Sequence, residues 1–187
     1  MSESGTDAAI ERWRQYLLLL ARVQLGPARR GQPEASDLVQ QTLLDAFRCK
    51  AQFRGTTEAE HATWFRKILA CNLADALRAN HREKRDVKRE RSLQSSLDQS
   101  SVQLASLLAA PDTSPSIRAG RNEQLTALAD AMASLSEASR EAIVLHYFQG
   151  WSLDRIGLQL ERTPAAVAGL LKRGLKQLRE LLIPEVS

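Results

Sequence analysis

The sequence predicts an all-α protein: two small helical domains joined by a flexible linker. Three observations carry this expectation. Apolar residues recur at intervals of three and four, while β-branched runs with a period of two do not occur. Helix start and stop signals punctuate the apolar segments, Ser or Thr before them and Gly or Pro after. Residues 92–120, SLQSSLDQSSVQLASLLAAPDTSPSIRAG, shift to Ser, Gln, Pro and small residues, as linkers do. The expected boundaries are therefore 1–91, 92–120 and 121–187.

Composition narrows the function classes. The chain has 187 residues, a formal net charge of +4 and a pI near 9.4. So small a basic excess argues for nucleic acid only where it clusters. Cys49 and Cys71 fall on expected helices with no CxxC and no Cys/His cluster, so neither zinc nor a disulfide framework is supported. They read as core or half-buried thiols in a reducing cytosol. The N-terminus opens acidic, and YLLLLA is too short to span a bilayer, so neither a signal peptide nor membrane insertion is expected. No nucleophile–base pairing, metal-spaced carboxylate pair or Gly-rich phosphate loop occurs. No enzyme and no cofactor are expected. His61, His81 and His146 share no motif and read as surface or half-buried histidines.

Residues 1–6 are expected to be disordered. A first helix covers about 7–25, with Ile10, Trp13, Leu17, Leu20, Ala21 and Gln24 on one face and Gly26–Pro27 ending it. Ser36 is the expected cap of a second helix whose buried stripe is Leu38, Val39, Thr42, Leu43, Ala46 and Phe47. Its other face carries Gln40, Gln41, Leu44, Asp45 and Arg48, either merely solvated or a partner surface. FRGTTEAEHAT is a polar turn. A third helix over about 58–80 buries Phe65, Ile68, Leu69, Leu73, Ala76 and Leu77. Trp64 on it is either a core anchor or a platform for an unpaired base. Residues 78–91 hold seven Lys/Arg against three acids. They form a solvated helix end or a phosphate grip through residues such as Arg78 and Arg82.

Leu104, Leu107 and Leu108 could form a short helix within the linker. Beyond it, residues 121–133 read as a helix burying Leu125, Leu128, Ala129 and Met132. Ser136 caps another, running to about Gln149, with Gly150 in the left-handed position that closes it. Ser152 caps the next, which buries Leu153, Ile156 and Leu160. After a break at Glu161–Arg162, Thr163 is an N-cap and Pro164 the first helical residue. The last helix buries Val167, Leu170, Leu171, Leu175, Leu178 and Leu182. Its outward face is small at the start (Ala165, Ala166, Ala168, Gly169) and basic beyond (Lys172, Arg173, Lys176, Arg179). Residues 162–179 hold five Lys/Arg and no acid, so the small half can enter the major groove while the basic half grips phosphates. A solvated amphipathic helix would have the same periodicity. The helix–break–Thr-Pro–helix spacing favours a DNA-binding helix-turn-helix.

The run LSEASREAIVLHYFQGWSLDRIGLQLERTPAAVAGLLKRGLKQLREL resembles region 4 of bacterial RNA polymerase sigma factors of the sigma-70 family, extracytoplasmic-function (ECF) type. That family usually carries Lys-Ser-Arg where this chain has Ala168, Gly169 and Leu170, so polar base-reading side chains are missing here. SDLVQQTLLDAF resembles region 2.2, the surface that docks on the β′ coiled coil of the polymerase. Phe53-Arg54-Gly55 matches the loop that holds a flipped base of the −10 promoter element, and TWFRKILACNLADALR resembles regions 2.3–2.4. The family often has Asn at the position of Cys71; Asn72 here is turned about 100° from it.

The resemblance implies region 2 in 1–91 and region 4 in 121–187. Asp37, Gln40, Gln41, Thr42, Leu44 and Asp45 become candidate polymerase contacts. Phe53, Arg54, Thr56, Thr57, Trp64, Lys67, Arg78 and Arg82 become −10 contacts. Arg162, Thr163, Ala165, Ala166, Ala168, Lys172, Arg173 and Lys176 become −35 contacts. The implied partners are core RNA polymerase, through its β′ coiled coil and β subunit, promoter DNA, and an anti-sigma protein as a further candidate. The implied location is the cytoplasm. A stand-alone dimeric helix-turn-helix regulator is the alternative; it would leave residues 36–91 without a task.

Overall fold

The computed structural model describes residues 12–27, 33–81, 87–107 and 121–182. Among them are eight α-helices and no strand: α1 Arg14–Leu25, α2 Ala35–Cys49, α3 Glu58–His81, α4 Val87–Leu107, α5 Arg121–Ser134, α6 Glu137–Ile143, α7 Leu153–Gln159 and α8 Pro164–Leu182. The all-α class is as the periodicity predicted. The disorder expected over 1–6, and Ile10, lie outside the described residues.

Helix α1 is the hub, packing against α2, α3, α4 and α5. Its sequence is apolar nearly all round, as a helix enclosed by neighbours must be. Trp13, Tyr16, Leu17, Leu19, Leu20, Ala21 and Val23 are all buried. Gly26 closes it at φ +69°, its N–H donating to the Arg22 carbonyl. Trp13 meets Phe65 of α3 at 5.5 Å between ring centroids, which ties α1 to α3.

Three expectations for α2 and its surroundings need correction. The helix begins one residue before Ser36, after an extended Glu34, and Ser36 Oγ donates to the Glu34 carboxylate instead of capping. Phe47 was expected inside but is 44% exposed, with the Lys50 ammonium 4.0 Å above its ring. Position 47 lies at the edge of the apolar stripe, where its ring face takes the Lys50 ammonium as a cation–π partner. Cys49 and Cys71 are both exposed rather than core or half-buried. The residues that face inward beside them are Ala46 and Ala70.

Helix α4 runs through the first half of the expected linker. Leu97 is fully buried, and a ladder of polar contacts seats the helix on α1 and α3. Ser96 Oγ donates to Gln24 Oε1, Gln24 Nε2 to Ser100 Oγ, and Tyr16 Oη to Ser101 Oγ, at 3.0–3.1 Å. Arg66 Nε donates to Asp98 at 2.6 Å and Arg66 Nη1 to Tyr16 Oη at 2.9 Å. Ser96, Ser100 and Ser101, part of the composition that signals a linker, are here the polar face of a docked helix and bond Gln24 and Tyr16. Burial would lower the Arg66 pKa, but Tyr16 and Asp98 outweigh it and raise it; burial raises Tyr16. Residues 108–120, including Leu108, lie outside the described residues. The side chains of Leu104 and Leu107 do too.

Helix α5 packs against α8 and also against α1, so the described residues share one apolar cluster. Gln149 Nε2 donates to the Val23 carbonyl at 3.2 Å across that seam. After α6 the chain continues without a break into a wider π-type turn, Val144–Phe148, with Gln149 N–H on the Val144 carbonyl. Gly150 follows at φ +67°, as anticipated.

Candidate nucleic-acid interface

Helices α7 and α8 form a helix-turn-helix unit whose local chemistry follows from the sequence. Ser152 Oγ accepts from the Arg155 N–H, and Thr163 Oγ1 accepts from the Ala166 N–H at 3.2 Å. Between them Glu161 takes a left-handed φ of +52°, and the Arg162 N–H reaches the Gly157 carbonyl at 2.8 Å. A Cβ on Gly157 would lie 2.6 Å from the Arg162 carbonyl oxygen, so the turn closes only over glycine.

Helix α8 buries Val167, Leu170, Leu171, Gly174 and Leu178 against α6 and α7. Gly174 lets α6 come close: a Cβ there would meet Ile143 Cδ1 at 2.9 Å. The opposite side presents Arg162, Thr163, Ala165, Ala168, Lys172, Arg173 and Lys176, all exposed, with Ala166 half-buried. Arg173 folds back over Gly169, and Lys176 faces Glu180 at 3.6 Å. The surface is thus free of bulk near the α8 N-terminus and cationic one to three turns later, a shape and charge order that fits a groove and its phosphates.

A second candidate surface is the turn before α3. Thr57 and Glu60 form a capping box. Glu60 Oε2 accepts from the Thr56 N–H at 2.8 Å and from the Thr57 N–H and hydroxyl at 2.9 Å, while the Glu60 N–H donates to Thr57 Oγ1. The amides of Thr57 and Thr56 hold the Glu60 pKa below the usual carboxylate range. Phe53 stacks on Trp64 with centroids 4.5 Å apart and planes 21° apart, and His61 meets Phe53 at 4.6 Å. Gly55 makes room for this: a Cβ there would lie 2.3 Å from Phe53 Cζ.

The third surface is the outer side of α2. Asp37, Gln40, Gln41 and Leu44 are exposed. Asp45 is half-buried and accepts from Gln41 Nε2, Arg48 and Asn72. Among the described residues no cluster of His, Cys, Asp or Glu could hold a metal, and no helix is long and apolar enough to cross a membrane.

Residues 125–178 match the family described as Sigma-70, region 4. Over 149 residues, 79% of this chain and 74% of the relative, the sequence is 34% identical to the RNA polymerase sigma factor CarQ of Myxococcus xanthus. The chain belongs to the sigma-70 family of RNA polymerase sigma factors. Members of this family direct RNA polymerase to promoters, and the family is not a class of enzymes.

Most of the surface residues singled out in this sigma factor are accessible, and some are not. All of the α8 set lies on one side of the helix. Of the α2 set, Thr42 faces inward: it is fully buried, its hydroxyl donates to the Leu38 carbonyl at 2.7 Å and accepts from Asn72. That contact also turns Asn72 toward α2. Arg54, Thr56, Thr57 and Lys67 are exposed, and Phe53 and Trp64 are half-buried against each other. The Thr57 hydroxyl and both threonine amides are already engaged by Glu60. Arg78 is largely covered and paired with Asp75 and Glu90, so it is not free for phosphate. Arg82 lies outside the described residues.

Two residues to which the sequence assigned no site role make aromatic contacts here; His61, expected at the surface or half-buried, is half-buried. Arg155 stacks its guanidinium 3.7 Å over Trp151. Trp151 precedes the Ser152 cap, so helical spacing did not signal this pair. His61 joins the aromatic set through a three-residue spacing to Trp64.

Proposed function

We propose that this sigma factor works as a two-element promoter reader in the cytoplasm. In this reading residues 1–91 act as region 2, binding core RNA polymerase through the outer side of α2 and taking the −10 element at the Phe53–Thr57 turn. Residues 121–187 act as region 4 and bind the −35 element through α8. The chain promotes strand opening by holding unpaired bases, and the polymerase performs the chemistry. The single observation that carries the reading is the outward side of α8, where small residues and then unburied cations line up opposite the buried Val167–Leu171–Leu178 stripe.

On α2, an apolar centre at Leu44, 43% exposed, is rimmed by Asp37, Gln40 and Gln41, a pattern suited to a helix-on-helix partner such as the β′ coiled coil. The β subunit and an anti-sigma protein are further partners under this reading. Two DNA contacts on one chain raise affinity because the second becomes intramolecular once the first has formed. The test is transcription by core polymerase from a pool of promoter fragments with and without this chain. Transcripts that start at common upstream elements only when the chain is present support the reading, and transcripts unaffected by the chain refute it.

A further inference from the structure

His61 carries the one ring acceptor of the aromatic set at the turn, since Phe53 has no polar atom and the Trp64 indole N–H can only donate. Its Nδ1 lies 2.9 Å from the Thr57 carbonyl oxygen. A carbonyl can only accept, so Nδ1 carries the hydrogen and Nε2 of the neutral ring presents a lone pair. Nε2 has no partner among the described residues. The ring is half-buried and held in place on one side by Phe53, which in turn stacks on Trp64. The threonine donors nearest the rings, which would otherwise suit a base edge, are taken by one oxygen of Glu60. The turn therefore offers an aromatic surface and a positioned acceptor, with its nearest backbone donors withdrawn.

We propose that His61 is a base-selecting residue of this sigma factor. When an unstacked base of the −10 element lies against the Phe53–Trp64 rings, Nε2 accepts a hydrogen bond from the exocyclic amine of adenine or cytosine. At the same edge position guanine and thymine carry a carbonyl oxygen, which opposes the lone pair. Stacking is tolerant of base identity, so the rings supply affinity and the single acceptor supplies the choice. A base that has left the duplex exposes this edge to the protein. The inference rests on the reading of the turn as the −10 site.

The experiment uses the full chain assembled with core RNA polymerase and a promoter pool randomised through the −10 element. His61→Phe keeps a planar ring and removes the lone pair, and His61→Gln restores an acceptor. Thermal melting of each variant checks that the fold is kept. The wild type is expected to enrich adenine or cytosine at one position. His61→Phe should lower that preference ratio about five- to tenfold, the scale of one net hydrogen bond, and His61→Gln should recover part of it. Where adenine is the base chosen, replacing it by purine, which lacks the amine, should weaken open-complex formation by the wild type but not by His61→Phe. Enrichment of guanine or thymine, or a preference unchanged in His61→Phe, would overturn the assignment while leaving the promoter-reading function intact. Failure of the wild type to give any promoter-specific transcript would overturn that function and this inference with it.

Discussion

Glu60 shows how much order one side chain can impose on a turn. Its carboxylate takes three donors on one oxygen, and its pKa is lowered by the Thr57 and Thr56 amides. A depressed folded-state pKa means that the stabilisation is complete above the unfolded value, about 4.3. It is lost as pH falls through the lower folded value. The protection of the Thr56 and Thr57 amides relative to intrinsic exchange should therefore be high at neutral pH and fall below the ordinary carboxylate range, and Glu60→Gln should lower it at neutral pH. Glu141 behaves oppositely. Burial, and then the nearby Glu137, raise its pKa, so its ionised form is disfavoured in the folded chain at neutral pH. Glu141→Gln should raise the melting temperature at neutral pH and change it little in acid, where the carboxyl is already protonated.

At the scale of elements, α4 is where composition and structure part. Ser- and Gln-rich sequence predicts a linker because it cannot bury apolar area by itself. Here Leu97 is fully buried with Leu93 packed beside it, and Ser100, Ser101 and Asp98 bond Gln24, Tyr16 and Arg66 of other helices. Such partners are distant in sequence and cannot be read from a local window. Leu97→Ala should cost about 2–5 kcal/mol in chemical denaturation, as for a fully buried leucine. No change would mean that the segment is an undocked linker. The helix-turn-helix was legible because its determinants are local: Ser152, Thr163 and Pro164 act within three residues of their own positions. Gly174→Ala should change stability in chemical denaturation by no more than about 1 kcal/mol, because the contact is with the movable Cδ1 end of Ile143 and alanine gains helix propensity. Thr42 was legible as a member of the buried stripe, and it is buried; the covered Arg78 was not, since a charged residue at a helix end takes its role from a neighbour on another helix.

At the scale of the molecule, the two proposed DNA-binding surfaces and the proposed partner surface lie on a chain whose described helices share one apolar cluster. Replacing Lys172 and Arg173 together by alanine should weaken −35 binding and reduce the salt slope by about 0.9 for each phosphate no longer neutralised. Binding isotherms over a range of salt concentration measure this. Asp37→Ala with Gln41→Ala should weaken polymerase binding without lowering the melting temperature, since both side chains are exposed; a titration against labelled core enzyme checks it. We propose that this chain places RNA polymerase on promoters through α8 and the Phe53–Thr57 turn. The most direct measurement is co-purification of the chain with core RNA polymerase, followed by transcription from the promoter pool. Stable association with new promoter-specific transcripts, abolished in the Lys172→Ala/Arg173→Ala variant, is the predicted result. No association, together with binding of the chain alone to a palindromic duplex as a dimer, would contradict it.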